Sequence, residues 1–97
     1  MFPGEATTVQ SIDYTVHTFK EGGMFVAYVP ELDISSCGRT NEEARRNIKD
    51  AVEGFLETSA ETGLLEWILQ EAGYSQSKGC WRAPEFVGLG REQANLR

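Results

Sequence analysis

The sequence predicts an α+β fold: a small antiparallel sheet in the order β-β-β-α, then a short helix and a last strand, with one main helix packed on one face. Three observations predict it. Residues 10–20 alternate apolar and polar side chains, Glu21-Gly22-Gly23 leads into the apolar run Met24–Val29, and a capping signal at Thr40 opens a long amphipathic stretch. The 97 residues, 40% apolar and 25% charged, suit one ordinary globular domain. Folding at this size buries a little over ~60% of the surface of the unfolded chain, so the core is thin and self-association would help.

Residues 1–9 mix Pro3, Gly4 and Glu5 with small side chains and are expected to be unstructured. The domain itself is expected to span residues 10–87. From Gln10 to Lys20, Ile12, Tyr14 and Val16 fall on one face and Asp13, Thr15 and His17 on the other, the period of a half-buried strand. Gly22 and Gly23 tolerate positive φ, which predicts a hairpin into Met24–Val29. In that second strand Met24, Val26 and Tyr28 form one apolar set and Phe25, Ala27 and Val29 the other, so both faces want cover. Pro30 ends the strand. Pro30–Ile34 reads as a loop, and Ser35–Arg39 is long enough for a short third strand.

Thr40-Asn41-Glu42-Glu43 fits a capping box, with the Thr40 hydroxyl on the Glu43 amide and the Glu43 carboxylate reaching back to the Thr40 amide. Ala44, Ile48, Ala51, Val52, Phe55 and Leu56 then form one helical stripe, closed by Gly63. On the outer face Glu42 with Arg46, and Arg46 with Asp50, stand four apart as solvated pairs. Leu64–Ala72 reads as a short second helix whose apolar band is too wide for one buried stripe. Ser75–Gly79 is a turn cluster. Cys80–Val87 reads as a last strand, placed on an edge or bent at Pro84, which has no amide hydrogen. Residues 88–97 read as a loose tail.

Nine basic residues against 15 acidic ones give a net charge of −6, the wrong sign for gripping phosphate backbones or anionic lipid. Direct nucleic-acid binding is not expected, and a basic partner is. The longest apolar run, Met24–Pro30, falls far short of the ~20 residues of a membrane helix, and Met1–Glu5 carries no leader pattern, so a cytoplasmic protein is expected. No cofactor, metal or catalytic set is predicted. His17 stands alone on a strand, and Cys37 and Cys80 lack a CxxC or a histidine cluster; free thiols are expected, with a Cys37–Cys80 bridge left open to geometry. Asp13, Glu31, Asp33 and Glu43 include no D-x-D pair or cation loop, and neither Gly22-Gly23 nor Gly88-Leu89-Gly90 precedes a helix that would hold a phosphate.

From Tyr14 to Leu56 one pattern runs through Phe19-Lys20-Glu21-Gly22-Gly23, Phe25-Val26-Ala27-Tyr28-Val29-Pro30-Glu31-Leu32 and Cys37-Gly38-Arg39-Thr40-Asn41-Glu42-Glu43-Ala44, then Asn47-Ile48 and Ala51-Val52. This stretch, a little under half the chain, resembles the HicB family of antitoxins. Leu65–Leu69 and Trp81-x-Ala83-Pro84-Glu85 are similar, more weakly, to extensions of compact members. The resemblance implies a partial ribonuclease-H-like domain without nuclease activity, in a compact form without a DNA-binding domain. It implies a partner as well: a small basic RNA-cleaving toxin of the HicA type, neutralised by coverage of its active surface.

Carried onto this sequence, Pro30, Gly38, Thr40, Glu43 and Ala44 make up the structural motif: Pro30 locks φ, Gly38 permits a close approach and Thr40 caps. Glu31, Leu32 and Asp33 are the expected partner-binding residues, the two acids meeting arginines or lysines of a basic toxin. A homodimer or larger homo-oligomer is expected through Phe25, Val29, Leu64, Trp67 and Ile68. Two rival readings stand beside this one: an orphan homo-oligomeric scaffold without a toxin, and a small metal-dependent hydrolase using Asp13 with Glu43.

Overall fold

The computed structural model describes residues 10–96. The expected unstructured start, residues 1–9, lies outside the described residues. The described residues form an α+β domain of six strands and two helices: β1 (Ser11–Ile12), β2 (His17–Glu21), β3 (Met24–Val29), β4 (Ile34–Gly38), α1 (Asn41–Glu61), α2 (Leu65–Glu71), β5 (Ser75–Ser77) and β6 (Cys80–Arg82). The main helix packs on an antiparallel sheet ordered β2-β3-β4, and a second three-stranded sheet is ordered β1-β6-β5.

The expected strand over residues 10–20 is divided. Ser11–Ile12 pairs in parallel with Cys80–Trp81, whereas His17–Glu21 pairs antiparallel with Met24–Tyr28. The residues between change sheets, held by Asp13, whose amide donates to the Trp81 carbonyl (3.2 Å) and whose carboxylate accepts from the Ala83 amide (2.6 Å). The alternation still sorts the side chains. Ile12 packs into one core, and Tyr14 and Val16 into the other. Periodicity reports which side chains are inward but carries no signal that the backbone has changed its pairing partner.

Register places Phe25, Ala27 and Val29 with Ile34 on the α1 side of the sheet, where Ala27, Val29, Ala44, Ile48 and Val52 form a fully buried core. Met24, Val26 and Tyr28 take the opposite face, because alternate residues of a strand point to opposite sides. The helix begins as its capping signal predicts, with the Thr40 hydroxyl accepting from the Glu43 amide at 3.0 Å. It ends in a Schellman motif: Gly63 adopts φ +77°, its amide donates to the Ala60 carbonyl, and the Leu64 amide donates to that of Ser59. On the outer face the ion pair found among the described residues is Lys49 with Glu53, in place of the expected Glu42–Arg46 and Arg46–Asp50 pairs.

The second helix ends the same way. Gly73 at φ +89° donates to Gln70, and the Tyr74 amide donates to Leu69. Leu69 and Tyr74, the two residues that such a motif brings together, are both buried and form the second core with Trp81. Leu32 and Leu56 pack against both cores and join them.

The last strand stops at Arg82 rather than Val87. The Ala83 amide is turned to the Asp13 carboxylate, and Pro84 has no amide hydrogen to continue a ladder. The Ser75–Gly79 cluster contains a strand as well as a turn: β5 pairs with β6 through Lys78 and Gly79, both at positive φ (50° and 78°). Its three residues are polar and exposed, so no apolar alternation marked it. Residues 83–96 form neither helix nor strand.

Candidate functional site

The turn between β3 and β4 (residues 30–33) carries the three expected partner-binding residues, and the structure gives each a different role. Glu31, expected on the surface, is half-buried: its carboxylate accepts from the Thr15 amide (3.0 Å) and hydroxyl (2.6 Å). The crossing between the two sheets brings Thr15 over this turn, so Glu31 ties the turn to that crossing. Leu32, half-buried, touches both cores. Asp33 alone of the three is exposed.

Asp33 sits at φ +56°, a left-handed conformation that Asp tolerates better than most residues. Its carboxylate accepts a 2.9 Å hydrogen bond from the Tyr28 hydroxyl, and that bond raises the Tyr28 pKa above its ordinary value. Backbone and side chain are thus both preset, and the carboxylate's remaining lone pairs face solvent. Tyr28 is the supporting residue that sequence reasoning missed. The usable signal was its place on the strand face away from the helix, five residues before Asp33.

The motif residues after β4 hold the fold. Gly38 is buried, and a Cβ there would lie 2.6 Å from the Ala44 amide nitrogen, so the close approach of β4 to α1 admits only glycine. Glu43 accepts from the Arg39 amide instead of the expected Thr40 amide, closing the cap one residue earlier. Ala44 lies fully buried at the contact, and Asn47 donates from its side-chain amide to the Cys37 carbonyl at 2.8 Å, fastening helix to strand. Pro30 is exposed at the end of β3.

The expected oligomer interface is only partly at the surface. Phe25 and Val29 lie on the α1 side, Val29 fully buried, so the register gives the uncovered face to Met24, Val26 and Tyr28 instead. Leu64 and Trp67 are exposed, Trp67 by 61%, and Ile68 is half-buried. Cys37 is exposed and Cys80 half-buried; both are free thiols, on different sheets.

The carboxylates named for the hydrolase reading are engaged separately, Asp13 on the Ala83 amide and Glu43 on the Arg39 amide. Among the described residues no three His, Cys, Asp or Glu side chains gather closely enough to hold a metal ion, and no helix is long and apolar enough to cross a membrane. Charge is distributed unevenly. Along α1, Glu42, Glu43, Asp50, Glu53, Glu57 and Glu61 outnumber Arg45, Arg46 and Lys49 two to one. Fold and site together define a small α+β domain with an acidic main helix on one face of its sheet and a preset surface carboxylate in the turn between β3 and β4. In comparisons with known proteins, the chain matches no family model, no curated protein and no solved structure.

Proposed function

We propose that this chain is a non-enzymatic, antitoxin-like binding protein of the HicB type, which sequesters a small basic RNA-cleaving toxin of the HicA type and acts as a cytoplasmic homodimer or larger homo-oligomer. The observation that carries the reading is Asp33: an exposed carboxylate fixed by a left-handed backbone and by Tyr28, on a chain of net charge −6. Such a group meets an arginine or lysine without first losing conformational freedom, and the surrounding negative field steers a basic partner toward it. The helix placed immediately after a three-stranded antiparallel meander agrees with what the sequence resemblance implies.

The test is direct binding of a HicA-type toxin to the wild-type chain and to Asp33→Lys, at low salt and at ~0.5 M salt. Because Asp33 is exposed, the variant is expected to fold normally and to bind the toxin roughly tenfold or more weakly, mainly through a slower on-rate. Unchanged affinity and unchanged salt dependence would remove Asp33 from the interface. The orphan-scaffold reading has its own support, since Gly38, Thr40, Glu43 and Ala44 all hold the fold. Pull-down from cells that recovers only copies of this chain, and no basic RNA-cleaving protein, would favour it.

A further inference from the structure

Between α1 and the β1 end of the second sheet lies a groove of about 640 Å³, floored by Ile12, Tyr14, Val52 and Leu56. A smaller hollow of about 210 Å³ continues it past Gln10, Ala60 and Leu65, which line both, to Gly63 and the first turn of α2. Along α1 the lining runs from Val52 to Gly63, roughly 16 Å of helix axis. Ile12, Tyr14, Leu56 and Leu65 are each only half-buried, so part of this apolar floor stays in contact with water.

Charge is sorted around the groove. Its charged rim consists of Glu53, Glu57 and Glu66, and among the described residues no lysine or arginine lines it. Glu53 is paired with Lys49, whereas Glu57 and Glu66 have no cation partner among the described residues. The open cleft beside β2, by contrast, mixes Lys20 and Arg91 with Glu92. Glu53 and Glu57 stand one turn apart on α1, about 6 Å, which is also the spacing of side chains one turn apart on any second helix laid beside it. An extended segment is the poorer match, because β1 is two residues long and offers almost no edge for strand addition.

We infer that this groove docks a basic amphipathic helix of a partner protein. The apolar stripe of that helix covers the floor, and its lysines or arginines, one turn apart, meet Glu53, Glu57 and Glu66. An apolar floor fixes where the helix lies, and an uncompensated acidic rim selects its charge. The two nearer occupants do not match that rim. Residues 1–9, which join the groove at Gln10, carry Glu5 and no lysine or arginine, and a second copy brings a net charge of −6. The groove is separate from the turn between β3 and β4, since Asp33 lines neither part of it. The inference therefore goes beyond the toxin contact proposed above and does not rest on it.

Titration calorimetry of the full chain with an amphipathic helical peptide of leucine and lysine, about 14 residues long, tests the docking. Peptides with glutamate in place of lysine, or serine in place of leucine, are expected to bind about tenfold or more weakly. Glu57→Lys/Glu66→Lys, altered at exposed positions, is expected to keep its circular dichroism while its Kd for the leucine-lysine peptide rises about tenfold or more. Glu21→Lys/Glu92→Lys makes the same change of net charge away from the groove and is expected to shift the Kd by less than about threefold. In 15N-labelled chain the peptide should move the amide signals of Ile12, Glu57, Ala60 and Leu65. A wild type that does not bind the peptide, equal weakening by both charge reversals, or shifts centred elsewhere would overturn the docking. NOEs from the Phe2 ring to Leu56 that persist when the peptide is added would overturn it too, by making residues 1–9 the occupant.

Discussion

The larger core of Ala27, Val29, Ala44, Ile48 and Val52 and the smaller one of Leu69, Tyr74 and Trp81 differ most in the stretch of chain they draw together. The first is assembled from consecutive elements, β2 to α1, joined by short turns. The second closes the ends of the domain onto each other. The Tyr74 hydroxyl donates to the Asp13 carbonyl, the Trp81 indole to Gln10 and the Ala83 amide to Asp13, across 61, 71 and 70 residues. Closing a long loop costs more chain entropy than closing a short one, and the second core has three buried side chains with which to offset it. The difference teaches that one region is specified locally and the other depends on it. The β1-β6-β5 sheet is therefore expected to open first, and Leu32 and Leu56, which touch both cores, set how far the opening spreads.

Truncating Trp81 strikes the comparison hardest. Trp81→Ala is expected to cost about 3–5 kcal/mol in chemical denaturation. If the two regions are separable, hydrogen exchange will show lost protection at residues 11–13 and 75–82 with protection retained along β3 and α1. Uniform loss would show one cooperative unit. Ile48→Ala, at a fully buried position of the larger core, is expected to cost about 2–5 kcal/mol and to release both regions together. A variant that lost the first region and kept the second would reverse the dependence argued above.

Tyr74→Phe is the mildest probe. It removes the bond to the Asp13 carbonyl and is expected to cost about 1 kcal/mol at neutral pH. It also carries a pH signature. Burial first, then the Glu31 and Asp13 charges, push the Tyr74 hydroxyl well above the ordinary tyrosine value. A group raised in the folded state contributes its full share below the unfolded pKa of ~10 and loses it as pH rises beyond. Wild-type stability should thus fall above pH ~10, and less steeply in Tyr74→Phe. Equal slopes would place the alkaline loss at other groups, such as Tyr28, whose hydroxyl is raised by its bond to Asp33.

The amino-acid sequence by itself determined the α+β class, the Gly22-Gly23 hairpin, the Thr40 cap, the Gly63 stop and the helical stripe that covers the sheet. Each is a matter of side chains a few residues apart, where backbone geometry converts spacing directly into a shared face or a satisfied amide. Within the candidate site the acidic turn was legible too, as charge beside a proline. Only the tertiary structure decided that Glu31 is bound by Thr15 while Asp33 stays exposed on the Tyr28 hydroxyl, that Phe25 and Val29 lie under the helix, and that residues 10–20 serve two sheets. Those outcomes depend on partners as much as 71 residues away. Periodicity says that a side chain turns inward, but which segment meets it is settled by the balance of packing and chain closure over the whole domain.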